Sequence, residues 1–158
     1  MRRLLQITSI FVTLALSPVG TIEARAQQIQ GQSYQAMSDR FFAIVQEGKP
    51  SDAIEYLLST NPAMKKIPDQ TEQLKAQFAS AVTLLGPYIS HTMLVETKVS
   101  GMFVYQHYFV AYERQPISIR ISYYKPGTSW ICYSVQFDAN LPGDIQTAAD
   151  GKLPLDVK

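Results

Sequence analysis

The sequence is poor in the side chains that most chemistry needs. Its 158 residues include one cysteine, Cys132, and two histidines, His91 and His107. A single thiol excludes an internal disulfide. Its place in the middle of an alternating segment fits a buried thiol tolerated in an oxidising compartment. Two histidines sixteen positions apart, with no clustered carboxylates, give no ligand spacing for zinc or iron, so no metal or other cofactor is expected. A phosphate-gripping glycine run, a calcium loop and a Gly-x-Ser-x-Gly elbow are all absent. So is an excess of charge: Lys and Arg total 14 against 13 Asp and Glu. A net +1 lacks the basic surplus of a nucleic-acid binder. With 46% hydrophobic and 17% charged residues, the chain resembles neither a disordered segment nor a coiled coil. Its length predicts one domain with one core.

An apolar stretch with polar interruptions lies at the start, and it reads as an export signal over residues 1–26. Arg2 and Arg3 precede an apolar stretch from Leu4 through Leu16, Pro18 and Gly20 break it, and Ala24-Arg25-Ala26 supplies the small-x-small pattern before a cut. The stretch is short of the ~20 residues that a permanent membrane span needs. No cysteine lies near the cut, which argues against a lipoprotein. Without Arg2, Arg3, Glu23 and Arg25, the mature chain would hold 11 basic and 12 acidic groups. The expectation is a periplasmic or secreted protein with no stable membrane anchor, one domain over 27–141 and a Pro-, Gly- and Asp-containing tail over 142–158.

Apolar spacing predicts a helix over 32–47, with Tyr34, Met37, Phe41, Ile44 and Val45 on one face and Gly48-Lys49-Pro50 ending it. Ser51 is placed to cap a second helix through Ser59, and residues 60–68, with two prolines, read as a loop or a short extended piece. Asp69 and Glu72 fit a capping box for a third helix. It carries Leu74, Phe78, Ala81, Val82 and Leu85 on one face, and Gly86-Pro87 closes it. The period then changes to two. Met93, Val95, Thr97 and Val99 alternate with Leu94, Glu96 and Lys98, and Met102–Glu113 is apolar on both sides, as in a central strand. Ile117, Ile119, Ile121 and Tyr123 alternate with Ser118, Arg120, Ser122 and Tyr124. In the last strand Ile131, Tyr133, Val135 and Phe137 share a face, leaving Trp130, Cys132, Ser134 and Gln136 on the other. Helices followed by an antiparallel meander of about four strands make an α+β fold.

This layout resembles the nuclear transport factor 2-like superfamily, whose small members include the SnoaL-like proteins. The likeness rests on the first helix and its Gly48-Lys49-Pro50-Ser51-Asp52-Ala53 link, and on the third helix ended by Gly86-Pro87-Tyr88. Three long strands and the hairpin Tyr123-Tyr124-Lys125-Pro126-Gly127 leading into Trp130 complete it. It covers nearly all of 32–139 and is one of layout, without a diagnostic motif. The resemblance implies a curved sheet wrapped around a helix as a cone, whose open end often holds a small molecule, and dimerisation through the outer sheet face. The superfamily includes isomerases, dehydratases, hydrolases and non-catalytic binders, so the fold alone does not give a function.

Proton-transfer chemistry would fall first to His107 and Asp39. The plainer reading makes His107 a strand histidine held by a hydroxyl and Asp39 a solvent-facing acid. Seven of the nine tyrosines lie between Tyr88 and Tyr133. Such rings suit a ligand cavity or a subunit interface, although packing alone also favours aromatics in strands. The expected cavity lining is Phe41, Phe78, Tyr105, His107, Phe109, Tyr123 and Tyr133. With the Ile117–Tyr123 row facing the helices, Arg120, Tyr124 and Trp130, joined by Cys132, are the expected outer contact patch, suited to a homodimer. The leading expectation is a non-catalytic binder of a small apolar or aromatic ligand or a protein partner. The rival is a cavity enzyme of isomerase or dehydratase type.

Overall fold

The computed structural model describes residues 31–139, together with 141, 143 and 145. The expected export signal and most of the expected tail lie outside the described residues. Helix α1 spans Tyr34–Gln46, and the Ser33 hydroxyl accepts the Ala36 N–H at 3.1 Å as its N-cap. Helix α2 spans Pro50–Ser59 and α3 spans Pro68–Leu85. Neither uses the expected side-chain cap. Proline, whose φ is pre-set for a helix and whose missing N–H needs no partner, starts each of them. Ser51 therefore lies inside α2. Asp69 sits in the first turn of α3, where its charge suits the helix dipole, and Glu72 turns to Lys75 instead of the backbone. The expected loop between them contains a 3₁₀ turn, Pro62–Lys66, capped by the Asn61 side chain.

Four strands follow as an antiparallel meander in the order β1-β2-β3-β4: Tyr88–Val99, Phe103–Tyr112, Ile117–Tyr124 and Ile131–Asp138. The protein is thus α+β, with three helices preceding an open sheet among the described residues. Because opposed residues of antiparallel strands share a face, the pairing sorts the sheet into rows. On the helix side run Met93–Tyr108–Ile119–Phe137, Glu96–Gln106–Ile121–Val135 and Lys98–Val104–Tyr123–Cys132. On the outer side run Val99–Phe103–Tyr124–Ile131, Val95–His107–Arg120–Gln136 and Thr92–Phe109–Ser118–Asp138. Ile117, Ile119, Ile121 and Tyr123 join Leu57 and Phe78 in one core, as the alternation in β3 predicts.

The expected face of β4 is not the observed one. A bulge at Ser122/Tyr123 makes Tyr133 the extra residue, and one extra residue reverses the alternation. Cys132 therefore lies fully buried on the helix side with Val135 and Phe137, while Tyr133 is 58% exposed. Trp130 also leaves the expected outer patch: its ring meets Tyr34 of α1 edge-on, centroids 5.0 Å apart.

Two latches hold the layers together. Gly86 ends α3 at φ +84, where a Cβ would lie 3.4 Å from that of Glu113. The Arg114 N–H then donates to the Leu85 carbonyl at 3.0 Å. Thr60 and Asn61, just past α2, pair with the free side of β4: the Cys132 N–H donates to Thr60 Oγ1 at 2.9 Å, and Asn61 Nδ2 donates to the Cys132 carbonyl at 3.0 Å. They occupy backbone groups that an edge strand would otherwise offer to another chain.

Candidate functional site

Where a cone would hold its ligand, this protein is packed. Met37, Phe41, Ile54, Leu57, Phe78, Ile119, Ile121 and Tyr123 are all at 0% exposure. The Phe78 ring lies 6.0 Å from Phe41 and 4.9 Å from Phe137. Of the expected cavity lining, Phe41, Phe78 and Tyr123 belong to this core. Tyr105, His107 and Phe109 lie on the opposite side of the sheet, because their parity in β2 is that of Phe103 and not of Val104. Tyr133 is on the bulge. The structure does not bring the seven together.

Between α1 and the sheet runs a seam of polar groups, set by Tyr34 and Ser38 at helical spacing above Glu96 and Gln106. Tyr123 Oη and Ser38 Oγ are 2.7 Å apart, and Ser38 Oγ donates to Gln106 Oε1 at 2.6 Å, so the tyrosine is the donor to the serine. Tyr108 Oη donates to the same Gln106 oxygen at 3.0 Å. Gln106 Nε2 donates to Glu96 Oε2 at 2.8 Å, and Lys98 Nζ lies 2.8 Å from Glu96 Oε1. Every member has a partner, which is what keeps buried polar groups from costing stability. Burial pushes the Tyr108 hydroxyl up to about 12 and the Tyr123 hydroxyl well above its ordinary value. Burial alone would also raise the Glu96 carboxyl, but hydrogen bonds from Lys98 and Gln106 outweigh it and hold it below its ordinary value.

The two expected proton-transfer residues do not meet. Asp39 lies exposed on α1, whereas His107 lies on the far side of the sheet with its Nε2 2.6 Å from Ser118 Oγ. The histidine near Asp39 is His91. A bulge between Tyr88 and Ser90 brings Tyr88 and His91 to one face, with Tyr88 Oη and His91 Nδ1 2.5 Å apart. The imidazole stacks on Phe42, centroids 3.8 Å apart at 9°. Desolvation against Phe42 lowers its pKa, opposed by the charge of Asp39, and because the residue is otherwise exposed the effect on stability is small. The folded protein therefore binds fewer protons than the unfolded chain below the ordinary histidine value. Stability is full above about pH 6.5 and falls as pH drops toward the depressed folded value. Urea midpoints of the wild type will decline between pH 7.5 and 5, and those of His91→Gln will decline less. Equal slopes would remove His91 from this role.

Among the described residues an open recess lies elsewhere, between α2, the 3₁₀ turn and α3. A groove of about 240 Å³ is floored by Leu58, Met64, Pro68 and Thr71. Lys75 crosses one side, its Nζ held by Glu55 at 2.7 Å and Glu72 at 2.9 Å. These carboxylates, Glu55 first, raise the lysine pKa and fix it as a cation. The sequence offered one sign of this site: Met64, an apolar residue between Pro62 and Pro68, lies in a stretch that a polar linker would leave without one.

A scan against protein-family models and searches of curated proteins and of solved structures give no match for this chain.

Proposed function

We propose that this chain is an exported, non-catalytic binding module of the nuclear transport factor 2-like layout, and that it takes a small apolar or aromatic molecule in the groove between α2 and α3. The observation that carries this reading is the contrast between a filled interior and an apolar recess open to solvent. Proton-transfer chemistry needs a titratable group facing an enclosed substrate. Here the acid and hydroxyls under α1 are bonded to one another, and Asp39 and His107 are separated by the sheet. At about 240 Å³ the groove is below the roughly 300–1,000 Å³ of drug-sized sites, so its ligand is a single ring or a short aliphatic chain. Lys75, Glu55 and Glu72 beside the floor can exchange hydrogen bonds with a hydroxyl on that ligand.

A thermal-shift series with phenol, indole, benzoate and short fatty acids tests the proposal. A ligand at about a hundred times its Kd adds about 2.7 kcal/mol of stability, which is several degrees in melting midpoint for a domain of this size. The account expects such a rise for at least one of these compounds and its loss in Met64→Glu. No rise across the set, or one that survives Met64→Glu, would refute it.

A further inference from the structure

The outer row Val99–Phe103–Tyr124–Ile131 crosses all four strands at one end of the sheet. Val99 is 53% exposed, Tyr124 37%, and the neighbouring Met102 and Tyr133 46% and 58%. Tyr133 packs edge-on against Phe103, centroids 5.9 Å apart. The two hairpin turns at this end are joined: the Lys125 N–H donates to the Met102 carbonyl at 2.8 Å. Ser100 at φ +53 and Gly101 at φ +65 form the tight turn that carries Met102 outward. The apolar end is thus held in shape before anything binds it, which keeps the ordering cost of binding low.

Its charge is one-sided. Residues 99–112 and 116–137 contain no Asp or Glu, and Lys125 follows Tyr124 at the end of the row. The Lys125 ammonium lies 5.8 Å from the Trp130 ring centroid, and that of Lys98 lies 5.7 Å from the Tyr34 ring. Lys98 and Glu96 pair with each other on the helix side and add no net charge to this end. Apolar tips among tyrosines and a tryptophan, with a lysine whose stem can run along the surface to a charged headgroup, match the chemistry of a membrane–water interface. From the exposures of Val99, Met102, Tyr124 and Tyr133, their exposed surface, backbone and hydroxyls included, is on the order of 400 Å², about half of the ~800 Å² that each partner brings to a stable protein interface. It is small for a lasting dimer and sufficient for shallow insertion.

We propose that this hairpin end docks the protein peripherally on an anionic lipid surface, with Met102, Tyr124 and Tyr133 entering the interface and Lys125 meeting lipid phosphates. This is a second surface, independent of the groove. Trp130, the only tryptophan in the chain, is a local reporter beside it. The test mixes the full chain with vesicles of phosphatidylcholine and phosphatidylglycerol carrying brominated acyl chains, and reads Trp130 quenching alongside co-sedimentation. Quenching is expected with phosphatidylglycerol, weaker in high salt, and about tenfold weaker partitioning is expected for Met102→Glu and for Tyr133→Ser. Both side chains are exposed, and either variant that keeps the wild-type circular dichroism suffices. The proposal is overturned by an absence of quenching, or by co-sedimentation equal in wild type and variants, which would assign binding to the N-terminal apolar stretch. It is equally overturned if the substitutions abolish a dimer in sedimentation velocity and leave lipid partitioning unchanged.

Discussion

Gln106→Leu will lower the unfolding free energy by about 3 kcal/mol, a drop of roughly 10 °C in melting midpoint. Leucine nearly fills the space of glutamine, so the loss does not come from a cavity. It comes from stranded partners. Ser38 Oγ and Tyr108 Oη both donate to Gln106 Oε1, and Glu96 accepts from Gln106 Nε2. The substitution removes all three bonds at a residue only 2% exposed, and a buried polar group left without a partner costs about 1–3 kcal/mol. The partial exposure of Glu96 lets water replace its lost donor, which limits the total. Chemical denaturation of both proteins at pH 7 measures the difference. A loss below 1 kcal/mol would mean that the seam is not closed as described.

Phe78→Ala should be more damaging, at about 4 kcal/mol, within the range found when large core aromatics are truncated. Phe78 and Leu85 are the buried residues of α3. The Phe78 ring touches both layers, Phe41 of α1 and Phe137 of β4. Without it α3 rests on Leu85 and the partly buried Leu74 and Val82. Native-state hydrogen exchange should therefore show faster exchange of the α3 amides than of β2 and β3. If all amides accelerate equally, α3 is bound into the same cooperative unit as the sheet and is not the separable layer that its packing suggests.

What could be read from the sequence was whatever depends on period. The alternation of Ile117, Ile119 and Ile121 located the inner face of β3, and the stripe from Tyr34 to Val45 located α1, because burial on one side imposes those spacings directly. What could not be read was parity across bulges. Nothing in Trp130-Ile131-Cys132-Tyr133 marks Tyr133 as the extra residue, yet that one insertion moved Cys132 into the core and Tyr133 to the surface. The bulge between Tyr88 and Ser90 likewise paired His91 with Tyr88 and directed it to Phe42, so Asp39 found its histidine there and not at His107. Gln106 carried a fainter sign: an amide between Val104 and Tyr108, on what proved to be the helix side of β2, implies partners waiting for it. Those partners, Ser38 and Glu96, are 68 and 10 residues away along the chain. Only the fold brings them together.

The central claim is that the interior is filled and that small molecules are received at the surface. Methyl-resolved carbon NMR during a titration with benzene tests it directly, since benzene enters dry apolar cavities as well as open grooves. The account predicts shifts at Leu58 and Met64 and none at Ile119 or Ile121. Shifts at the two isoleucines, with Leu58 and Met64 unmoved, would reveal a cavity between the helices and the sheet and contradict it.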